Sequence, residues 1–209
     1  MYNCVDKTFF GVNIMPVKED LRVKRTKKAL AEAFVSLLNK KPLDDITINE
    51  LCDAADVRRA TFYKHYNDKF DFIAAFTASL RTEFDREIWA KAGHMTPNAY
   101  FGVYAKEAIK YIDENEVAVS NLISSNLFPA ALSVIIEQNY KDTRDRLNEF
   151  VKAGLKLHTS VEVTASIFAG GVASAIFCWL VDGKPVPAEK FATQVHDFLI
   201  NALKGNIDE

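Results

Sequence analysis

The chain has 209 residues, 49% of them hydrophobic, with 26 Lys+Arg, 28 Asp+Glu and three cysteines. This suffices for a sizeable core and excludes a disordered chain, while the odd, dispersed Cys4, Cys52 and Cys178 exclude a disulfide scaffold and read as reduced, structural thiols of a cytoplasmic protein. The near-neutral total conceals a basic end: residues 22–69 hold eleven Lys/Arg against seven Asp/Glu, net +4, and residues 70–209 thirteen against eighteen, net −5, as expected when one module meets a polyanion.

Met1 to Pro16 contains Phe9, Phe10, Val12 and Ile14 but no contiguous apolar run ahead of a cleavage-type site, so it is not read as a signal peptide. Residues 1–19 are expected to be a poorly ordered extension, with translation starting at Met1 or at Met15. Beyond it, strand-like alternation is nearly absent and the breaks fall at Pro42, 93–97, Pro129, Gly154 and 182–187. Helices are predicted at about 21–39, 47–54, 58–65, 69–91, 97–113, 116–124, 129–153, 160–181 and 188–204, which gives an all-α protein.

The stretch 47–66, TINELCDAADVRRATFYKHY, carries the most information. Thr47 and Glu50 have the spacing of a reciprocal capping box, with Ile46 and Leu51 as a hydrophobic staple. Ile48, Leu51, Cys52 and Ala55 then follow one buried stripe, and Asp56 supplies a residue that tolerates the left-handed turn conformation. In the second short helix Phe62 is a core anchor and Ala60 allows close packing, leaving Arg59, Thr61, Tyr63, Lys64 and His65 to face elsewhere. Arg59 suits a guanine edge, Thr61 a thymine methyl or a phosphate, and Tyr63, Lys64 and His65 the backbone. Two helices joined by a tight turn, the second basic and aromatic, predict a helix-turn-helix.

Together with the amphipathic first helix (Leu30, Ala33, Phe34, Leu37, Leu38), the Lys41-Pro42-Leu43 loop and Ile46-Thr47-Ile48, the string Ala60-Thr61-Phe62-Tyr63-Lys64-His65-Tyr66-x-Asp68-Lys69 resembles the TetR family of transcriptional regulators over about residues 21–80. The resemblance implies a DNA-binding domain at 20–68 and a helical effector-binding and dimerisation domain at 69–209. It also implies that Lys69 grips phosphate, and an Asp68-capped helix would place that cation where the macrodipole disfavours it unless an anion is bound. The expected DNA-contacting set is Thr47, Asn49, Arg58, Arg59, Thr61, Tyr63, Lys64, His65 and Lys69. Asp56 departs from the family, whose turn usually carries Gly. The Gly170-Gly171, Cys178-Trp179-Leu180 and 182–185 run is weakly similar to the dihydroxyacetone-kinase regulator subgroup.

The C-terminal part reads as an aromatic-rich bundle. Candidate effector-pocket residues are Phe84, Trp89, Phe101, Tyr104, Phe128 and Phe168. Candidate dimer contacts are Ile167, Phe168, Gly171, Ala175, Phe177, Trp179, Phe191, Val195, Phe198, Leu199 and Ala202. The segment 161–181 includes Glu162, Thr164, Ser166, Ser174 and paired glycines, and reads as a buried helix and not a membrane span. His65, His94, His158 and His196 share no metal-ligand spacing with one another or with a Cys, and no phosphate-cradling Gly loop occurs, so no enzyme, metal or cofactor is expected. The sequence thus predicts a ligand-responsive homodimeric repressor whose partners are double-stranded DNA, a second copy and a small apolar or amphipathic effector. The alternative is a regulator-like module that docks to a partner protein.

Overall fold

The computed structural model describes residues 8–9, 12–13, 21–92 and 96–204. Among them are nine α-helices: α1 (Leu21–Leu38), α2 (Ile48–Ala54), α3 (Arg59–His65), α4 (Lys69–Ala92), α5 (Pro97–Glu114), α6 (Glu116–Ile123), α7 (Phe128–Lys152), α8 (Val161–Val181) and α9 (Ala188–Lys204). Thr8–Phe9 and Val12–Asn13 pair as two short antiparallel strands; the expectation of a disordered extension otherwise lies outside the described residues. Helix limits match the sequence periodicity to within one residue. One element was not anticipated, a 3-10 turn at Leu43–Asp45, begun by Pro42 at φ −61° and closed by the Ile46 amide donating to the Leu43 carbonyl.

Two apolar clusters organise these helices. The first gathers Leu30, Ala33, Phe34 and Leu38 of α1 with Leu51, Cys52, Phe62, Tyr66, Phe72 and Ile73, and extends to Ala118 of α6 and Ala131 of α7. Its centre is aromatic: Phe72 meets Phe34 and Tyr66 edge to face, each at 5.2 Å. The second joins Phe84 and Ile88 of α4 to Tyr100, Phe101, Ala105 and Ile109 of α5, Leu147 and Phe150 of α7, Phe168 of α8 and Val195, Leu199 and Leu203 of α9. Helices α5 and α9 approach so closely that a Cβ on Gly102 would stand 2.7 Å from the His196 ring, so glycine is required there by space.

Helix α8 is long and apolar enough, by length and composition alone, to cross a membrane. It lies against α7 with Ala165, Phe168 and Ala169 buried, while Val163, Ile167 and Val181 remain exposed. A helix that is apolar all round has two faces to cover, and the described residues of this chain cover one of them.

Candidate nucleic-acid interface

Sequence and geometry agree closely at the helix-turn-helix. The Thr47 hydroxyl accepts from the Glu50 amide at 3.2 Å and the Thr47 amide donates to Glu50 Oε2 at 3.0 Å, closing the capping box. Lys41 Nζ reaches Glu50 Oε1 at 2.6 Å. That bond first, then those from Thr47, hold the Glu50 carboxyl down at about 2. At the turn, Asp56 adopts φ +53° and the Val57 amide donates back to the Cys52 carbonyl at 2.9 Å, so an aspartate sits in the left-handed conformation that glycine fills most cheaply.

Only Phe62 of α3 is fully buried, wedged among Tyr66, Phe72 and Tyr63. A helix of seven residues held by one aromatic keeps its other faces outward. Arg58, Arg59, Tyr63 and Lys64 are exposed, as are Thr47 and Asn49 on the preceding helix, whereas Thr61 and His65 are half-buried. Ala60, expected to pack closely, is exposed at the helix start because the inward turn is already filled by Phe62. The Arg59 guanidinium stacks over the Tyr63 ring at 5.4 Å and donates to its hydroxyl at 3.5 Å. This i,i+4 pair stiffens two long donors on the outer face.

Lys69 behaves differently from its neighbours. Asp68 caps α4, its Oδ1 accepting from the Phe70 and Asp71 amides, both at 2.8 Å. Lys69, in that first turn, donates to the Leu43 carbonyl at 3.0 Å, and burial is the main cause lowering its pKa. The conflict between the cation and the helix dipole is relieved here by a carbonyl from the 3-10 turn.

Behind this face lies an apolar cavity of about 260 Å³. Phe84, Phe101, Tyr104, Phe128 and Phe168 line it. Trp89 does not; it stacks on Tyr100 at 6.0 Å, inside the bundle wall. The sequence reading missed Phe34, Val35 and Leu38 of α1, which also line the cavity, so the N-terminal helices share a wall with the bundle interior. Two further contacts cross the same boundary: Asn121 Nδ2 donates to the Leu38 carbonyl at 2.7 Å, and the Asn126 amide to Asp44 Oδ2 at 3.0 Å.

The dimer candidates divide by face. Ile167, Gly171, Phe198 and Ala202 are exposed, and Ala175, Phe177 and Phe191 are half-buried. Phe168, Trp179, Val195 and Leu199 are instead buried within the protomer: Phe168 meets Phe101, and Trp179 stacks flat on Phe191 at 4.9 Å while donating to the Val186 carbonyl at 2.8 Å. Their apolar surface is already used internally, so they are corrected to core residues. Among the described residues no cluster of three His, Cys, Asp or Glu is placed to hold a metal ion.

No protein-family model matches the chain. An uncharacterised helix-turn-helix transcriptional regulator of Bacillus subtilis (strain 168), YxbF, is 27% identical over 187 residues, covering 86% of this chain and 46% of that protein. The chain thus spans about half the length of this curated relative. Among solved structures, a putative TetR-family regulator from Syntrophomonas wolfei superposes with a TM-score of 0.61 at 15% identity, over 88% of this chain and 98% of that one. The dihydroxyacetone kinase operon activator DhaS superposes with a TM-score of 0.55 at 15% identity, with the same coverage; the likeness is one of fold.

Proposed function

We propose that this chain, whose fold is that of TetR-family transcriptional regulators, is a DNA-binding regulator acting as a homodimer. In this reading residues 20–68 form the DNA-binding domain and residues 69–209 the effector-binding and dimerisation domain. The observation that carries the reading is the division of α3: Phe62 turned fully inward, Arg59, Tyr63 and Lys64 outward on a helix short enough to enter a major groove. Arg59 reads a base edge, with Arg58, Lys64 and Asn49 as backbone contacts and Thr47, Thr61 and His65 at the margins of the footprint. Lys69 reaches phosphate on leaving the Leu43 carbonyl.

The exposed face of α8 and α9, with Val163, Ile167, Gly171, Phe198 and Ala202, is the surface through which two copies pair. A twofold pair sets two α3 helices against half-sites about 34–36 Å apart on a pseudo-palindromic operator. The apolar cavity takes an effector, and because α1 forms part of its wall, a ligand that spreads that wall tilts the reading helices and releases DNA. Repression in the cytoplasm, relieved by that ligand, follows. The regulator named among the relatives does not favour the docking-module alternative.

The test is a mobility-shift titration on the promoter region of the chain's own gene. Arg59→Ala is expected to relax base preference at one position per half-site, and Lys64→Ala to weaken binding to all sequences and flatten the salt dependence by about one counterion per protomer. Unchanged operator affinity in both variants removes the assignment.

A further inference from the structure

The cavity is lined almost wholly by hydrocarbon, yet its polar groups converge. Asn139 and Thr143 stand one turn apart on α7, and Tyr104 lies on α5. Thr143 and Tyr104 also touch Arg81 of α4: its Nη1 donates to Thr143 Oγ1 at 3.4 Å, and its guanidinium lies 4.7 Å over the Tyr104 ring. Arg81 is buried, 6% exposed, donates to the Tyr100 hydroxyl at 3.2 Å, and makes no ion pair. Two carboxylates lie near it without contacting it directly. Asp85 is held by Tyr100 and by Arg146, the latter at 2.7 Å, and Asp142 accepts from Gln138 at 3.0 Å through its other oxygen.

A buried guanidinium with no carboxylate in direct contact is expensive to keep, and Asp85 and Asp142 support this one only from a distance. Here it backs a corner that still has donors to offer, the Thr143 hydroxyl and the Asn139 side-chain NH2. Thr143 accepts from Arg81, which leaves its own hydroxyl proton to donate, and the Asn139 amide makes no hydrogen bond. Donors in front of a buried positive charge, at the end of a hydrocarbon chamber, select an anionic head on an apolar tail. The cavity, about 260 Å³, lies near the lower end of small-ligand pockets, about 300 Å³, so a medium-length tail fits it better than a long one.

We infer that the cavity takes a medium-chain monocarboxylate, with its tail among Phe34, Leu38, Ile73 and Ile176 and its carboxylate at the Asn139–Thr143–Tyr104 corner in front of Arg81. This rests on the reading of the cavity as the effector site. Burial raises the pKa of Asp142, and Oδ2 of that carboxyl has no partner, so the group nearest to opposing an anion is one that takes up a proton more readily than an ordinary aspartate.

The experiment is calorimetric titration of the full chain, without DNA, with octanoate, 1-octanol and octylammonium. Octanoate is expected to bind at least tenfold more tightly than 1-octanol, with octylammonium weakest. Arg81→Met is expected to lose at least tenfold in octanoate affinity and to change 1-octanol affinity less than twofold. Thr143→Val, which removes one donor at nearly constant volume, is expected to lose severalfold for octanoate only. Should Arg81→Met fail to fold, the wild-type ligand series and Thr143→Val decide. Equal or tighter binding of 1-octanol, no binding of octanoate, or unchanged octanoate affinity in a folded variant overturns the inference. Operator binding by the same preparation, measured separately, distinguishes that result from failure of the DNA-binding reading.

Discussion

The helix-turn-helix and the bundle interior solve opposite problems. The first packs residues close in sequence, from Leu30 to Ile73, around an uncharged aromatic centre, and leaves its polar groups outside. The second places two arginines, Arg81 and Arg146, between helices drawn from distant parts of the chain and satisfies them with phenols and carboxylates. Burial pushes Tyr104 up to about 12 although Arg81 opposes it, so both phenol and guanidinium keep their ordinary protonation and the network is fixed across the physiological range. The core of the helix-turn-helix region is built of apolar packing, with its hydrogen bonds and ion pairs kept to the caps and turns at its surface. The bundle instead buries a polar network of arginines, phenols and a carboxylate beside its apolar cavity.

This contrast can be broken at either end. Phe62→Ala empties the fully buried centre of the first region and is expected to cost about 3–5 kcal/mol, seen as a lower urea midpoint together with loss of DNA binding; a cost under about 1 kcal/mol would show that the centre is not held by Phe62. Asp85→Ala leaves Arg146, with 13% of its side chain exposed, with Glu149 at 2.7 Å as its remaining carboxylate partner, and is expected to cost about 1–3 kcal/mol. Replacing both partners in Asp85→Leu/Arg146→Met should recover most of that loss in the same urea titration. If the double variant is as unstable as the single, the network does more than neutralise itself.

The smallest effect concerns acid. Because the Glu50 carboxyl has a folded-state pKa of about 2, below the ordinary 4.5, its contribution to stability is present above pH 4.5 and lost as pH falls from 4.5 towards 2. NMR titration of the Glu50 carboxyl should show that midpoint, and Glu50→Gln should remove the corresponding part of the acid dependence. An ordinary midpoint near 4.5 would mean that the capping box and the Lys41 contact are open in solution.

The fold was legible because most helices carry both a period and a stop: Thr47, Thr96 and Ser160 cap, and Pro42 and 182–187 interrupt. The outer face of α3 was legible for a related reason, since Phe62 is the residue of that helix best suited to filling a core. The contact of Lys69 with the Leu43 carbonyl was not legible, because that carbonyl is presented by a 3-10 turn that a three-residue window does not announce. The outward side of α8 was unreadable in principle, since Phe168 and Ile167 are equally apolar and only packing within the bundle, Phe168 against Phe101 of α5, separates them. Arg81 was missed because a single cation on an amphipathic helix reads as a solvent-facing residue until a neighbouring helix supplies Thr143, sixty-two positions away.

Phe34, Val35 and Leu38 of α1 bound the same chamber that Leu199 closes from α9, and the Leu38 carbonyl is tied to Asn121. The helix-turn-helix region is therefore not a detachable cartridge. A fragment cut after α4 would present an unshielded greasy flank to water, and moving the helix-turn-helix onto another bundle requires transplanting α6 along with the first three helices.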